Sequence, residues 1–226
     1  IYGVSKFINI STDKAVNPSN IMGLTKRLSE VILMSQNHDL SISILRFGNV
    51  MGSKGSVYEI FDHQISTSKI LTVTHPEAKR YFMSINDATQ LVIQAGFMNN
   101  DKNIYSLKMG DQIKIYDLAL KMLRMRGLVL KKNDMSEGDI EIKITGLKEG
   151  EKLEEELYEN QELYDTDHPL IYKFKETKSK NENEILDLLN ELNNLINRNK
   201  VEESIKLITS FLEINNFKSS IIDPTI

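Results

Sequence analysis

The stretch FINISTDKAVNPSNIMGLTK, residues 7–26, decides the fold of this chain. Its apolar start, residues 7–10, predicts a short strand, and the turn-forming run Asn-Pro-Ser-Asn at residues 17–20 follows it. Ser19 or Asn20 then caps a helix that we expect over residues 21–36. The stretch therefore predicts a strand, a turn and a helix in direct succession.

The alternation of strands and helices continues along the chain. A strand is predicted over residues 41–47, and it must be parallel to the first if the helix between them crosses over. Further strands are predicted over residues 70–74, 104–107 and 140–145, the last clear one, and further helices over residues 57–68, 84–96 and 113–126. The pattern predicts an α/β chain: half of a doubly wound sheet followed by a smaller α/β lobe.

A hydroxyl, an acid and a base follow the first predicted strand directly. Thr12, Asp13 and Lys14 end the apolar run, and Lys26 lies four residues after Met22, on the same face of the predicted helix. Acids and bases grouped where a strand of an open α/β sheet ends are typical of a proton-transfer site. The alternative is a solvated pair of Asp13 and Lys14 beside a core residue, Met22.

Composition excludes several other classes of protein. The 226 residues are 40% hydrophobic and 27% charged, as in ordinary globular chains, and the net charge of −4 gives no basic field for nucleic acid. Cysteine is absent and the four histidines are scattered, so we expect no metal site. No apolar run has the length of a membrane helix and no signal peptide is visible, so we expect a cytoplasmic chain without a membrane segment.

Six motifs occur in a characteristic order: residues 11–30, RFGNVMGSKGS at 46–56, TVTHPE at 72–77, RYFM at 80–83, GLKEGEK at 146–152 and TDHP at 166–169. Together they resemble the signature of the nucleotide-sugar 4,6-dehydratases of bacterial polysaccharide biosynthesis, a branch of the extended short-chain dehydrogenases/reductases. Most short-chain enzymes carry Tyr-x-x-x-Lys, whereas this chain has Met22-Gly-Leu-Thr-Lys26. That substitution resembles the long, membrane-anchored members of the family.

The resemblance implies a Rossmann-type sheet and NAD as cofactor. Members of the family begin with a Gly-x-Gly-x-x-Gly turn, whose helix N-terminus holds the cofactor pyrophosphate. This chain lacks that fingerprint, and the glycines at residues 48–55 have the wrong spacing, so they indicate a substrate loop. We therefore expect the C-terminal portion of a longer protein, whose N-terminal region would carry any inner-membrane anchor. By itself this portion is expected to be inactive and not to bind NAD⁺ tightly.

The resemblance also implies a lyase reaction on UDP-N-acetylglucosamine: oxidation of C4 by NAD⁺, elimination of water across C5 and C6, and return of hydride to C6. Asp13 matches the acid that protonates the leaving C6 hydroxyl, and Lys14 matches the base for the C5 proton. Thr12 matches the group that hydrogen-bonds the C4 hydroxyl, and Lys26 and Ser11 match the contacts to the cofactor. An ion pair between Asp13 and Lys14 would oppose the pKa shift that each role requires, so we expect their side chains to diverge.

Met22 stands where the usual enzymes carry the tyrosinate that accepts the C4 proton. A thioether is only a weak acceptor, so Met22 cannot take that proton. Water, a relay through ribose hydroxyls and Asp13 are the alternatives for the base of the oxidation step.

Four further residues match the family's contacts to the UDP-sugar. Asn49 matches an asparagine that meets the pyrophosphate or the amide, and Arg80 matches an arginine that grips phosphate. Lys148 stands where the family has arginine, and Glu151 matches a contact to the nucleotide ribose or base. The alternatives are an exposed loop position for Asn49 and a surface position for Arg80. His75 either lines the substrate cleft or forms a turn.

The character of the sequence changes after residue 172. We divide the chain into a partial Rossmann-like core with a substrate lobe at residues 1–172, a polar linker at 173–184 and a helical appendage at 185–226. Leucines and isoleucines at helical spacing predict two helices in the appendage. We expect them to form an antiparallel hairpin that packs on the substrate lobe or on a partner.

Three functions remain open. The first is a 4,6-dehydratase for capsule, O-antigen or glycan synthesis, with a UDP-sugar as partner. The second is an inactive fragment or a non-catalytic nucleotide-sugar-binding module. The third is a 4-epimerase, which the pair of Asp13 and Lys14 disfavours, because epimerisation needs no elimination acid and base. A homo-oligomer is an open alternative for the assembly.

Overall fold

Strands and helices alternate through the computed structural model, which describes residues 3–36, 40–98, 101–131, 138–158, 163–175 and 180–214. The helices are α1 (Ile21–Ser35), α2 (Val57–Thr67), α3 (Ile85–Met98), α4 (Ile115–Met125), α5 (Glu182–Asn197) and α6 (Val201–Phe211). The strands are β1 (Lys6–Ile10), β2 (Ser41–Arg46), β3 (Asn49–Met51), β4 (Ile70–Val73), β5 (Lys79–Arg80), β6 (Phe82–Ser84), β7 (Asn103–Leu107), β8 (Ile113–Lys114), β9 (Glu141–Ile144), β10 (Leu163–Asp165) and β11 (Ile171–Phe174). No helix in these ranges is long and apolar enough to span a membrane.

The main sheet has the strand order β1, β2, β7, β11, β10. Strands β1, β2 and β7 are parallel, with Phe7 opposite Ile42 and Ile44 opposite Ile104. Strand β11 is antiparallel to β7, and β10 is antiparallel to β11. Helix α1 connects β1 to β2, as a parallel pair requires. The predicted α/β fold with a parallel-rich sheet is confirmed.

The crossover from β1 through α1 to β2 has the helix cap and the strand that the sequence predicts. The side chain of Asn20 accepts a hydrogen bond from the Gly23 amide at 2.8 Å, so Asn20 is the cap of α1. All six residues of β2 are buried, which suits a strand that lies between two others and is covered on both faces.

Two predicted boundaries are wrong. Residues 140–145 do not hold the last strand, because β10 and β11 follow and extend the main sheet. The polar linker expected from residue 173 starts later, since Lys173 and Phe174 belong to β11 and Phe174 is only 3% exposed. A strand of four residues is too short to show a period in the sequence, and its pairing with β7 determines its conformation.

The chain divides into two compact units. The first comprises Ile1–Phe47, Gln90–Lys108 and Glu156–Ile226 and contains the main sheet with α1, α5 and α6. The second comprises Gly48–Thr89 and Met109–Glu155 and contains the strand pairs β3–β6, β4–β9 and β5–β8 with α2 and α4. Its core consists of Phe61, Ile65, Leu71, Val73, Ala119, Met122, Leu123 and Ile140. Apart from the start of the linker, which β11 contradicts, the division into a core, a linker and an appendage stays a prediction.

Helices α5 and α6, the C-terminal hairpin, confirm the two predicted helices. A turn at residues 198–200 joins them, with Asn199 at a φ of 53°. Leu188, Leu192 and Ile208 of the hairpin form one buried cluster with Leu24 and Leu28 of α1. The hairpin therefore packs within the first unit, and the expectation that it packs on the substrate lobe is wrong. The outward leucines of α1 need an apolar cover, and the hairpin provides it.

Candidate active site

Helix α1 presents two opposite sides, because residues three and four apart in a helix point the same way. Leu24 and Leu28, on one side, are covered by the C-terminal hairpin. Met22, Lys26 and Glu30 follow one another at four-residue intervals on the opposite side. Glu30 is fully buried against β2, whereas Met22 and Lys26 are both exposed. The two residues that the sequence pairs thus occupy the solvent-exposed end of a row that Glu30 joins to β2.

The turn after β1 is attached to the end of β2 through the backbone. The Asp13 amide donates to the Phe47 carbonyl at 3.1 Å. The Thr12 hydroxyl accepts from the Lys14 amide at 3.3 Å and caps a short 3₁₀ helix, Asp13–Ala15. Thr12, Asp13 and Lys14 therefore lie at the carboxyl end of β1, where open α/β sheets place their functional groups.

The side chains of Asp13 and Lys14 form an ion pair, so their expected divergence is wrong. Lys14 Nζ lies 2.9 Å from Asp13 Oδ1, and the Thr12 hydroxyl donates to the same oxygen at 2.9 Å. Asp13 is 1% exposed, and a buried carboxylate requires donors nearby, which its neighbours in the tight turn provide. The solvated-pair alternative is therefore wrong as well. Asp13 Oδ2 is buried and has no hydrogen-bond partner among the described residues.

Lys26 reaches back to the end of β1. Its Nζ donates to the Ile10 carbonyl at 3.2 Å, which places the ammonium beside the strand that leads into the turn. Met22 is 46% exposed, so the alternative that it belongs to the core is wrong. The Ser11 hydroxyl donates to Glu30 Oε1 at 2.5 Å and Ser11 is buried. The cofactor contact expected of Ser11 stays a prediction.

A buried ion pair beneath the turn escaped the sequence reasoning. Glu30 is 0% exposed and Arg46 is 2% exposed. Arg46 donates from Nε and Nη2 to the two carboxylate oxygens at 2.8 and 2.5 Å. Arg27 adds a hydrogen bond at 3.0 Å, and the Arg46 guanidinium lies 4.8 Å from the centre of the Phe174 ring. The sequence carried a signal for this pair, because a charged residue, Arg46, follows Ile44 and Leu45 directly at the end of the predicted strand.

The pKa of Glu30 follows from these contacts. Burial by itself would raise the pKa of Glu30, because it penalises the charged carboxylate. The charge and hydrogen bonds of Arg46, with Arg27 and the Ser11 hydroxyl, outweigh burial and hold the pKa below its ordinary value of 4.5. Glu30 is therefore ionised at neutral pH, and its charge fastens α1 to β2.

Three of the four predicted substrate contacts meet in the second unit. Arg80 Nη2 donates to Glu151 Oε1 at 2.9 Å, and the Lys148 amide donates to Glu151 Oε2 at 3.1 Å. The Thr74 hydroxyl, which the sequence reasoning did not single out, donates to Oε1 at 2.8 Å. Glu151 therefore joins the end of β4, strand β5 and the loop after β9.

Arg80 is buried, so the surface alternative is wrong. Its guanidinium donates to the carbonyls of Lys79 at 2.7 Å and Leu153 at 3.2 Å. Its Nε also lies 3.6 Å from Glu155 Oε1. One guanidinium thus faces two carboxylates, those of Glu151 and Glu155, and two carbonyls fix its orientation.

Asn49 begins strand β3 and is half-buried. Its backbone amide donates to the carbonyl of Tyr81 at 3.0 Å. Tyr81 follows Arg80 in the chain. The exposed-loop alternative for Asn49 is therefore wrong. Its role toward a ligand stays a prediction.

His75 forms a turn. Its Nδ1 accepts from the Glu77 amide at 3.1 Å, and its carbonyl accepts from the Ala78 amide at 3.0 Å. Across the part of the chain that the structure describes, no three histidine, cysteine, aspartate or glutamate side chains are grouped to hold a metal ion.

Comparison with known proteins identifies relatives. The family model described as polysaccharide biosynthesis protein matches residues 1–176. The capsular polysaccharide biosynthesis protein CapD of Staphylococcus aureus is 48% identical over 164 residues, which are 71% of this chain and 26% of CapD. A UDP-glucose 4-epimerase of Rickettsia conorii is 34% identical over 169 residues, 73% of this chain and 46% of the epimerase.

A solved structure of similar fold is that of Pen from Bacillus thuringiensis. It matches with a TM-score of 0.66 and 29% identity over 79% of this chain and 55% of Pen. The chain spans about a quarter of the length of CapD and about half of the length of Pen and the epimerase.

We expect Gly23→Ala to destabilise the first unit, because its Cβ would collide with the Lys14 carbonyl oxygen and lie 3.0 Å from the carbonyl carbon. Backbone atoms cannot rotate away, so α1 and the turn must separate, at a cost of about 1–3 kcal/mol. Thermal unfolding measures the loss. Gly96→Ala in α3 is the matched control, because its Cβ meets side-chain atoms of Ile8, which can change rotamer, and no backbone atom. Equal losses in the two variants would contradict this account.

The free energy of unfolding should fall as the pH drops below 4.5, the ordinary value for Glu30. A pKa that is lowered in the folded state stabilises the protein above the unfolded value, and this stability is lost as pH falls through the folded pKa. Glu30→Gln should flatten this dependence and cost about 3–5 kcal/mol at neutral pH, because Arg46 stays buried without a counter-charge. Urea unfolding from neutral pH downward tests both expectations. Glu191→Gln, at an exposed position of α5, is the control, and a Glu30→Gln variant as stable as the parent would refute the account.

Proposed function

Because the chain belongs to the polysaccharide biosynthesis protein family, we propose that it carries the acid–base and substrate-binding parts of an NAD-dependent nucleotide-sugar 4,6-dehydratase. The substrate is a UDP-N-acetylhexosamine, UDP-N-acetylglucosamine in the first instance. The product feeds the synthesis of a capsule or a similar glycan. Relatives of this chain include capsular proteins and 4-epimerases, and the acid–base pair at the end of β1 favours elimination.

The observation that carries the proposal is the free oxygen of Asp13. Asp13 Oδ2 is buried and has no hydrogen-bond partner in the described part of the chain, while Oδ1 is fixed by Thr12 and Lys14. A positioned carboxyl group with one open oxygen suits proton transfer to a leaving hydroxyl. Thr12 and Lys14 then stand beside the same reacting carbons.

The ion pair of Asp13 and Lys14 is compatible with this role, because it contains the right number of protons. Transfer of one proton along the 2.9 Å hydrogen bond places it on Asp13 Oδ1 and converts aspartate and lysinium into carboxylic acid and amine. A half-turn of the carboxyl group then carries the O–H to the open position that Oδ2 occupies. Lys14 then takes the C5 proton as the double bond to C6 forms, and Asp13 protonates the departing C6 hydroxyl, which leaves as water. The ion pair is restored in the same step.

Lys26 suits a contact to the cofactor. Its ammonium is exposed at the end of β1 and keeps two of its three donors beyond the one given to the Ile10 carbonyl. A ribose hydroxyl of NAD⁺ is an acceptor of the right kind. The chemistry that bound NAD⁺ supplies is hydride transfer, and this chain contributes the strand-end side of that site.

The second unit suits the nucleotide diphosphate. A phosphate oxygen takes the place of Glu151 on the Arg80 guanidinium, because both are oxyanions and the fork of arginine fits either. The released Glu151 carboxylate accepts hydroxyls of the nucleotide ribose. Lys148, which is exposed, adds positive charge near the diphosphate, and Asn49 donates to the sugar nucleotide.

The proposal is tested with a fusion protein in which a dinucleotide-binding half with a Gly-x-Gly-x-x-Gly turn precedes Ile1. The fusion is incubated with NAD⁺ and UDP-N-acetylglucosamine, and the product is analysed by mass spectrometry. Loss of one water supports the dehydratase. An isomer of unchanged mass identifies a 4-epimerase, and binding without conversion identifies a non-catalytic module.

In such a fusion, Asp13→Asn and Lys14→Ala should each lower formation of the dehydrated product by on the order of 10²-fold or more. Lys14→Ala leaves oxidation at C4 intact, so substrate-dependent NADH should accumulate and is followed by absorbance. Asp13→Asn should do the same if water or a ribose relay is the oxidation base, and should abolish NADH formation if Asp13 is that base. Lys26→Ala should suppress NADH formation too. Near-normal turnover of Lys14→Ala would show that the base is another group.

Met22→Leu should leave most of the activity of the fusion, because it replaces one exposed apolar side chain with another of similar size. Met22→Tyr places a phenol beside Lys26, whose positive charge lowers the pKa of the phenol, and should preserve or raise the rate of NADH formation. Stopped-flow absorbance measures that step. A loss on the order of 10²-fold in folded Met22→Leu would assign a direct role to the sulfur.

A further inference from the structure

We propose that the C-terminal hairpin is a positioning element for Lys26, holding α1 at the rotation that keeps the Lys26 ammonium at the end of β1. The hairpin lies beyond the family match, which ends at residue 176, and none of the groups assigned above belongs to it. The role of Lys26 in catalysis rests on the proposed function. The restraint on α1 is a property of the first unit alone.

The contacts between the hairpin and α1 are apolar and buried. Leu24 is 0% exposed and Leu28 is 8% exposed. Leu188, Leu192 and Ile208 cover them and are themselves between 4% and 8% exposed. Such contacts resist displacement, because separating them returns apolar surface to water.

The position of these contacts on α1 determines what they restrain. Leu24 lies between Met22 and Lys26 in the chain but projects from a different side of the helix, and Leu28 continues its row one turn later. Glu30, one turn after Lys26 in the row of Met22 and Lys26, joins the opposite side of α1 to β2. A helix that is held by the hairpin on one side and by Glu30 on the other cannot rotate about its axis, so the direction of Lys26 is set. The hydrogen bond of 3.2 Å from Lys26 to the Ile10 carbonyl depends on that direction.

Contacts between the start of α5 and the end of α6 hold the two helices of the hairpin together, so the hairpin acts on α1 as one rigid element. Lys180, which precedes α5, pairs with Glu213 after α6 at 3.0 Å. The Lys180 ammonium also lies 5.2 Å from the centre of the Phe211 ring. These contacts join the N-terminal end of α5 to the C-terminal end of α6.

The test compares Leu192→Ala with Leu189→Ala in the 226-residue chain. Leu192 is 6% exposed in the contact with α1, and Leu189 is 39% exposed on the same helix, so the two changes are chemically identical. Amide hydrogen exchange follows residues 24–28 of α1 and, as the internal reference, residues 104–107 of β7. Reductive methylation of Lys26 is measured by mass spectrometry relative to that of the exposed Lys121 of α4. It reports directly how accessible the Lys26 side-chain nitrogen is.

Leu192→Ala should speed exchange of the α1 amides roughly tenfold or more relative to those of β7, because it loosens one packed contact of the helix. Methylation of Lys26 relative to Lys121 should rise by about threefold or more, since an amine released from its hydrogen bond is more available. Leu189→Ala should leave the exchange ratio of α1 to β7 and the methylation ratio of Lys26 to Lys121 within about twofold of the unmodified chain. Equal acceleration in α1 and β7, or unchanged methylation of Lys26, would overturn the proposal.

Ile208→Val keeps the test decisive if Leu192→Ala does not fold. It removes one methylene from the same cluster and should shift both ratios in the same direction by a smaller factor. Unchanged ratios in this variant would also overturn the proposal. Neither readout requires turnover, so a fusion protein that fails to dehydrate the sugar would refute the proposed function and leave this inference standing.

Discussion

The buried ion pair of Glu30 and Arg46 is the interaction on which the first unit depends. It joins α1 to β2, and the Ser11 hydroxyl adds the end of β1 to the same carboxylate. Neither charge reaches water, so each is tolerable only while the other is in place. The pair therefore selects one mutual position for β1, α1 and β2. Phe174, beside the Arg46 guanidinium, extends this constraint to the antiparallel strand β11.

Helix α1, held in place by that ion pair, positions the ammonium group of Lys26. Gly23 allows the helix to approach the Lys14 carbonyl more closely than any side chain would permit. Leu24 and Leu28, on one side, are covered by the C-terminal hairpin, and the opposite side presents Lys26 to the end of β1 and Glu30 to Arg46. One helix thus carries a packing role on one side and a chemical and an electrostatic role on the other, which the period of 3.6 residues makes compatible.

The elements that could be predicted from sequence are those whose local signals agree with their final surroundings. The isoleucines and leucine of β2, the cap Asn20 and the leucine rows of the C-terminal helices each indicate their structure within a few residues. Strand β11 could not be found in this way, because four residues show no period and pairing with β7 decides its conformation. The group of Thr12, Asp13 and Lys14 was found through a motif, but their contacts were not. Whether two neighbouring side chains meet or diverge depends on burial, which a sequence does not state.

Side-chain exposure distinguishes the fully buried ion pair of Glu30 and Arg46 from two ion pairs in which one side chain is accessible to solvent. The side chains of Arg46 and Glu30 are 2% and 0% exposed, so no ligand can take the place of either. In the pair of Lys14 and Asp13 the lysine is 20% exposed, and in the pair of Arg80 and Glu151 the glutamate is 23% exposed. In each of these two pairs a buried charge keeps its place while its partner has a route to solvent. An oxyanion can replace Glu151 without leaving the buried Arg80 guanidinium unpaired, whereas the exposed part of Lys14 can be reached while Lys14 stays beside Asp13. Within its own unit, each buried member, Asp13 or Arg80, therefore keeps its place.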